Sequence, residues 1–125
     1  MSASLSFPRI ESVVLRVRSR QAAVDWYRSS LGLQVLFEDS AEGMAVLNVG
    51  RGCSLTVWEL RASAEGTPGE TSGTFPILEA VDAHAYRLHL QSRGVVTSEL
   101  RETAGLRCFT FWDLDGNRLD VCEVF

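Results

Sequence analysis

Apolar and polar residues alternate along residues 10–17, with Val13, Leu15 and Val17 on one side and Ser12, Val14 and Arg16 on the other, which predicts a β-strand. Ser19 then offers an N-cap and Gly32 a C-terminal stop for a helix over 20–31, whose inner face is Ala23, Trp26 or Tyr27, and Leu31. Three more strands follow over 34–37, 44–49 and 54–60, divided by the turn formers Asp39, Ser40, Gly43, Gly50 and Gly52. Residues 61–73 are small, polar and Gly/Pro-bearing, without periodicity, and read as a linker. Beyond them the order repeats. A strand over 74–80 precedes a helix over 82–93 stopped by Gly94, and strands over 95–99, 107–112 and 119–124 complete the chain. The last two strands are the arms of a hairpin, because Asp113-Leu114-Asp115-Gly116-Asn117 between them is rich in turn formers.

The repetition extends to individual residues. Ser54-Leu55-Thr56-Val57-Trp58-Glu59-Leu60 aligns with Arg118-Leu119-Asp120-Val121-Cys122-Glu123-Val124 at a constant offset of 64, and Gly32 and Gly94 occupy equivalent helix ends. The expected fold class is α+β, built from two tandem βαβββ modules. Module 1 covers about 9–60 and module 2 about 74–125, with the linker 61–73 between them and one domain over 1–125.

Composition then removes several classes of function. Hydrophobic residues make up 46% and charged residues 22%, as in ordinary globular chains, so neither disorder nor a fibrous class is expected. A net charge of −4 with no basic block gives no footprint for nucleic acid or an anionic membrane. No apolar run approaches the roughly 20 residues of a membrane span, and the first residues lack a secretory pattern, so a cytoplasmic location is expected. Cys53, Cys108 and Cys122 are odd in number, widely spaced and without a C-x-x-C, which predicts reduced, buried thiols rather than a disulfide framework or a zinc site.

The segments IESVVLRV and AAVDWYRSSLGL, together with FTFWDLDGNRLDVCE, resemble the vicinal oxygen chelate superfamily, the group of glyoxalases, bleomycin-resistance proteins and extradiol dioxygenases. The resemblance covers about 9–125. It implies that the two modules form a curved mixed sheet around a cleft, and that two chains pair as a homodimer. In metal-dependent members, it implies, each module supplies one ligand from its first strand and one from its last, commonly histidine and glutamate. Carried over one at a time, those positions fall at Ser12, Thr56, about Phe75, and Asp120. Only Asp120 keeps a ligand-type carboxylate, since neutral hydroxyls hold divalent ions weakly and a phenyl ring not at all. The metal site reads as dismantled and no cofactor is expected, with a divalent metal as the alternative. His84 and His89 are five apart on one helix, a spacing that does not share a face, and Glu59 and Glu123 lie on the opposite strand face from Thr56 and Asp120.

Residues sharing the ligand parity would line the cleft: Ser12, Val14, Arg16, Thr56, Trp58, Ile77, Glu79, Thr110, Trp112, Asp120 and Cys122, with Phe75 at the edge. Arg16, Trp58, Phe75, Glu79, Trp112 and Asp120 are the candidate ligand-binding residues, suited to a planar organic molecule, a cationic one included. Against that, the aromatics could simply be core, and Asp120 a structural acceptor paired with Arg16 or Arg118. An unpaired Asp120 would be the weak candidate for a catalytic base. The leading expectation is a metal-free small-molecule-binding protein that sequesters an aromatic or antibiotic-like compound. A metal-dependent lyase, isomerase or dioxygenase is the alternative, and an interaction module with a closed cleft is a third.

Overall fold

The structure is a computed structural model that describes residues 9–60, 74–103 and 105–125; the linker expected over 61–73 lies outside the described residues. The elements run β1 (Ser12–Val17), α1 (Arg20–Leu31), β2 (Gln34–Asp39), β3 (Met44–Asn48) and β4 (Ser54–Glu59). They continue with β5 (Ile77–Glu79), α2 (Ala83–Ser92), β6 (Arg101–Thr103), β7 (Leu106–Trp112) and β8 (Arg118–Val124). Each βαβββ set makes its own four-stranded mixed sheet, in the orders β1-β4-β3-β2 and β5-β8-β7-β6. In both, the first strand pairs parallel with the last, Val14 opposite Thr56 and Ile77 opposite Asp120.

The helices form where capping satisfies their first amides. Ser19 Oγ accepts from the Ala22 amide and Asp82 Oδ1 from the Ala85 amide. Gly32 closes α1 at φ 69°, a left-handed conformation that costs a side-chain-bearing residue energy, and its amide bonds back to Arg28 O. The two glutamates of the strand repeat reach the same place in each module. Glu59 Oε1 accepts from the Arg20 amide at 2.8 Å and Glu123 Oε1 from the Ala83 amide at 2.9 Å, so each last strand anchors the positive end of its own helix.

One face of each sheet is buried under the helices. Leu15, Val17, Leu47, Leu55, Val57, Phe109, Phe111, Leu119 and Val121 form one core with Ala23, Val24, Tyr27, Leu31, Ala83 and Leu90. Both candidates for the helix's central aromatic take part: Tyr27 is fully buried, and Trp26 is half-buried with its ring stacked 6.5 Å from Phe111 of the other module.

Three expectations are corrected. The strand expected over 74–80 is only Ile77–Glu79, because Pro76 has no amide to donate to a ladder. The strand expected over 95–99 is displaced to Arg101–Thr103: Val95 turns into the core after Gly94, and Thr97 makes only an isolated bridge to Phe111. The cysteines are not all reduced. Cys108 and Cys122 face each other across β7 and β8, Cα atoms 4.2 Å apart, and are joined as a disulfide, while Cys53 is free.

The β7–β8 turn ties the modules together. Asp113 Oδ2 accepts from Tyr27 Oη at 2.7 Å and Asn117 Nδ2 at 3.0 Å, while Oδ1 accepts from the amides of Asp115 and Asn117. Asn117 Nδ2 also reaches Arg16 O, and Arg18 pairs with Asp115 at 2.8 Å. Burial, and then the charge of Asp113, raise the Tyr27 phenol well above its usual pKa of 10. The folded state therefore holds that proton more tightly than the unfolded chain, a contribution intact below about pH 10 and lost as pH rises beyond it. Tyr27→Phe is expected to lower unfolding stability in urea by about 1–2 kcal/mol at neutral pH, and to flatten the loss of stability above about pH 10. A variant as stable as the parent, with the same alkaline limb, would contradict the buried bond.

Candidate functional site

The face of each sheet turned away from the helices carries the residues with chemistry. Alternation puts Ser12, Val14 and Arg16 of β1 beside Thr56 and Trp58 of β4 on this open face, and Asp120 and Cys122 of β8 beside Thr110 and Trp112 of β7. Ile77 aligns with Asp120 as Val14 does with Thr56, so Phe75, two residues earlier, occupies the place in module 2 that Ser12 occupies in module 1. The open face is also where exposed apolar side chains gather. Val14 is 46% exposed, Phe37 55%, Ile77 62% and Trp112 36%.

In module 1, Ser12 and Thr56 hydroxyls hydrogen-bond each other at 2.7 Å, and Ser12 Oγ also donates to Ser54 O. Arg16 lies over the Trp58 ring, 6.0 Å from its centroid, and donates to Trp58 O and Glu59 O. Trp58 Nε1 donates to Glu42 O, which fixes the indole as part of the wall.

In module 2, Asp120 is almost fully buried and its acceptors are filled. Oδ1 takes the Thr110 hydroxyl at 2.7 Å and Arg118 Nε at 3.0 Å; Oδ2 takes Arg118 Nη2 at 3.1 Å and faces Arg101 Nη2 at 3.8 Å. The fork geometry holds the Arg118 guanidinium in place, with its Cζ over the Phe75 ring, 3.8 Å from the centroid. Hydrogen bonding to Asp120 raises the Arg118 pKa further above its usual value. Phe75, just before β5, Arg118 of β8 and Trp112 of β7 thus form one row, an aromatic, a fixed cation and a second aromatic.

Of the sequence-expected residues, Phe75, Trp112 and Asp120 come together in this row and the one beside it. Arg16 and Trp58 form a separate group on module 1. Glu79 is exposed at the end of β5 opposite Cys122. Arg118, expected only as a partner of Asp120, and Arg101, not expected at all, complete the module 2 group. Arg118 was readable as the i−2 neighbour of Asp120 on one strand face, whereas Arg101 sits on the edge strand whose position the sequence pattern misplaced. A cavity of about 790 Å³ opens along the seam between β1, the β3–β4 turn and β5, with Val13, Leu55 and Phe75 among its walls.

The donor chemistry does not fit a divalent ion at the four carried-over positions. Ser12 and Thr56 are neutral and bonded to each other, Phe75 offers only carbon, and the lone pairs of Asp120 are committed to a guanidinium and a hydroxyl. Among the described residues, His, Cys, Asp and Glu form no group that could hold a metal.

Two tandem βαβββ modules, each with its first and last strands paired parallel and an open face of this kind, define the architecture of one superfamily. Residues 9–121 match the sequence model of the glyoxalase/bleomycin resistance protein/dioxygenase superfamily, and the chain belongs to it. Solved structures share the fold. An antibiotic binding protein, TnmS3, from Streptomyces sp. CB03234 superposes with a TM-score of 0.79 at 20% identity, covering 98% of this chain and 100% of that one. A superfamily member from Sphaerobacter thermophilus DSM 20745 gives 0.82 at 22% identity, covering 94% and 98%. A glyoxalase/bleomycin resistance protein from Streptomyces sp. CB03234 gives 0.71 at 24%, covering 90% and 97%. No curated relative matches the chain.

The filled carboxylate makes Asp120 a positioning group for Arg118. Asp120→Asn is expected to cost about 1–3 kcal/mol of unfolding stability, because a buried amide cannot replace the charged fork. A change within about 0.5 kcal/mol, as for an ordinary surface site, would show that the fork does not hold in solution.

Proposed function

We propose that this chain is a metal-free small-molecule-binding protein that sequesters an aromatic, antibiotic-like compound. The observation that carries the reading is the row Phe75, Arg118, Trp112: a stacking surface built at the superfamily's ligand positions, with the carboxylate there committed to orienting the cation. Fixed aromatic and guanidinium planes gain stacking and cation–π energy at little conformational cost. A base at Asp120 would first have to surrender its bonds to Arg118 and Thr110, which favours binding over turnover. The antibiotic binding neighbour TnmS3 supports the ligand class.

The binding unit in this reading is a homodimer acting in the cytoplasm. The exposed apolar residues Val14, Phe37, Ile77 and Trp112 all project from the open face, and they are distributed over both modules. Apposing the open faces of two copies would bury them and bring the Arg16–Trp58 group of one copy toward the Phe75–Arg118 row of the other.

Titrating the protein with planar aromatic antibiotics is expected to give saturable quenching of tryptophan fluorescence, weakened at least tenfold by Trp112→Ala. Quenching that never saturates, or a Trp112→Ala variant that binds unchanged, would remove the reading. A melting temperature that climbs with Mn, Fe(II), Co, Ni or Zn concentration would remove its metal-free half. Light scattering is expected to give twice the 13.8 kDa chain mass, and a monomer at all concentrations would refute the dimer.

A further inference from the structure

The charge of the ligand follows from how Arg118 and Arg101 are held. We infer that the open face of module 2 selects planar aromatic molecules bearing an anionic oxygen group, a carboxylate, sulfonate or acidic phenol, over cationic ones; this rests on the binding function proposed above.

Two guanidiniums converge on one carboxylate. Arg118 makes two bonds to Asp120, and Arg101 stands 3.8 Å from the same Oδ2. One negative charge against two positive ones leaves the cluster cationic. The exposed partners are the cations: the Arg118 and Arg101 side chains are 44% and 49% exposed, against 9% for Asp120. A ligand therefore meets guanidinium first, and the carboxylate lies beneath.

Each cation is also held in place. Arg118 is gripped along one edge by Asp120 and set over Phe75, while Arg101 donates to Ser98 Oγ and Thr110 Oγ1. Such forks lose little freedom when they take up an oxyanion, and guanidinium matches planar oxyanions in a bidentate way. Trp112, opposite Arg118 in the ladder, supplies the ring surface for the aromatic body beside the charge.

The remaining acids do not cancel this field. Among the described residues, Glu79 lies opposite Cys122, two rows from Arg118, or about 13 Å along the strands, beyond the reach of a surface charge at physiological salt, and Glu99, two residues before Arg101, is exposed to water that screens its charge. Glu102 is engaged by Arg107 at 2.9 Å and Glu123 by the Ala83 amide, on the helix side. The sequence pattern left a cationic ligand open; the pairing of Asp120 with Arg118, one of the two partners expected for it, favours an anionic one.

The test uses one ring in three charge states. Naphthalene, anthracene and pyrene are each presented as the carboxylate, the neutral alcohol and the aminomethyl cation, and affinities are measured by calorimetry on the intact protein at physiological salt. The carboxylates are expected to bind at least tenfold tighter than the matched cations, with the alcohols between, and the gap is expected to narrow as salt rises. Arg101→Gln, a change at a half-exposed side chain, is expected to shrink the carboxylate-to-cation ratio severalfold, the carboxylates losing more affinity than the alcohols. Arg118→Lys keeps the charge and loses the fork, and is expected to cost the carboxylates more than the alcohols. Cations that bind as well as carboxylates overturn the inference and leave aromatic binding standing. Rings that fail to bind in every charge state overturn the binding function itself, and the inference with it.

Discussion

The Asp113 carboxylate is the interaction on which the arrangement of the whole molecule depends. It accepts four hydrogen bonds: two hold the β7–β8 turn closed, one comes from Asn117, and one crosses to Tyr27 in the middle of α1. Such a buried carboxylate is tolerable only because every lone pair is used. The same group therefore shapes the hairpin and fixes module 2 against module 1. Arg118 is the residue immediately after the turn. Its backbone position, and so the start of the row that faces solvent, is set by the latch.

The two modules obey one set of rules on the helix side and two on the open side. Glu59 and Glu123 both bond the first turn of their own helix, and Leu55, Val57, Leu119 and Val121 fill one shared core. These contacts are needed for any βαβββ unit to bury its sheet, which is why the strand repeat survives there. On the open side no packing rule operates, and the equivalents diverge: Thr56 against Asp120, Ser54 against Arg118, Trp58 against Cys122. Module 1 closes its polar groups on one another, whereas module 2 presents a cation.

What could be read from the sequence follows the same division. Helices α1 and α2, the N-cap of α1, the central strands and the parity of the two faces were legible, because burial of one face imposes a period that composition cannot hide. The edge strand β6 was not. Its three residues are all exposed, so no apolar alternation marks them, and their register is dictated by β7. The Cys108–Cys122 contact was implicit in the turn, since a hairpin centred on Asp115 pairs residues equidistant from it, and both cysteines are seven away. Counting cysteines along the chain gives no hint of that; counting outward from the turn does. Individual site residues were visible, but their states were not. Asp120 could be assigned to the open face from parity, whereas its saturation by Thr110 and Arg118 depends on side-chain geometry across two strands.

That saturation bears on how one fold can serve both metal chemistry and plain binding. A carboxylate aimed into a cleft can ligate a metal ion only if neighbouring donors share the ion, and here Ser12, Thr56 and Phe75 do not. Left alone, it would be a buried charge without a partner, which costs several kcal/mol. The Arg118 guanidinium, from the neighbouring residue on the same strand face, removes that cost and adds a positive charge beside the carboxylate. The Phe75 ring is the surface over which that guanidinium sits. A guanidinium so held can attract and orient an oxyanion but has no open coordination position at which to activate one.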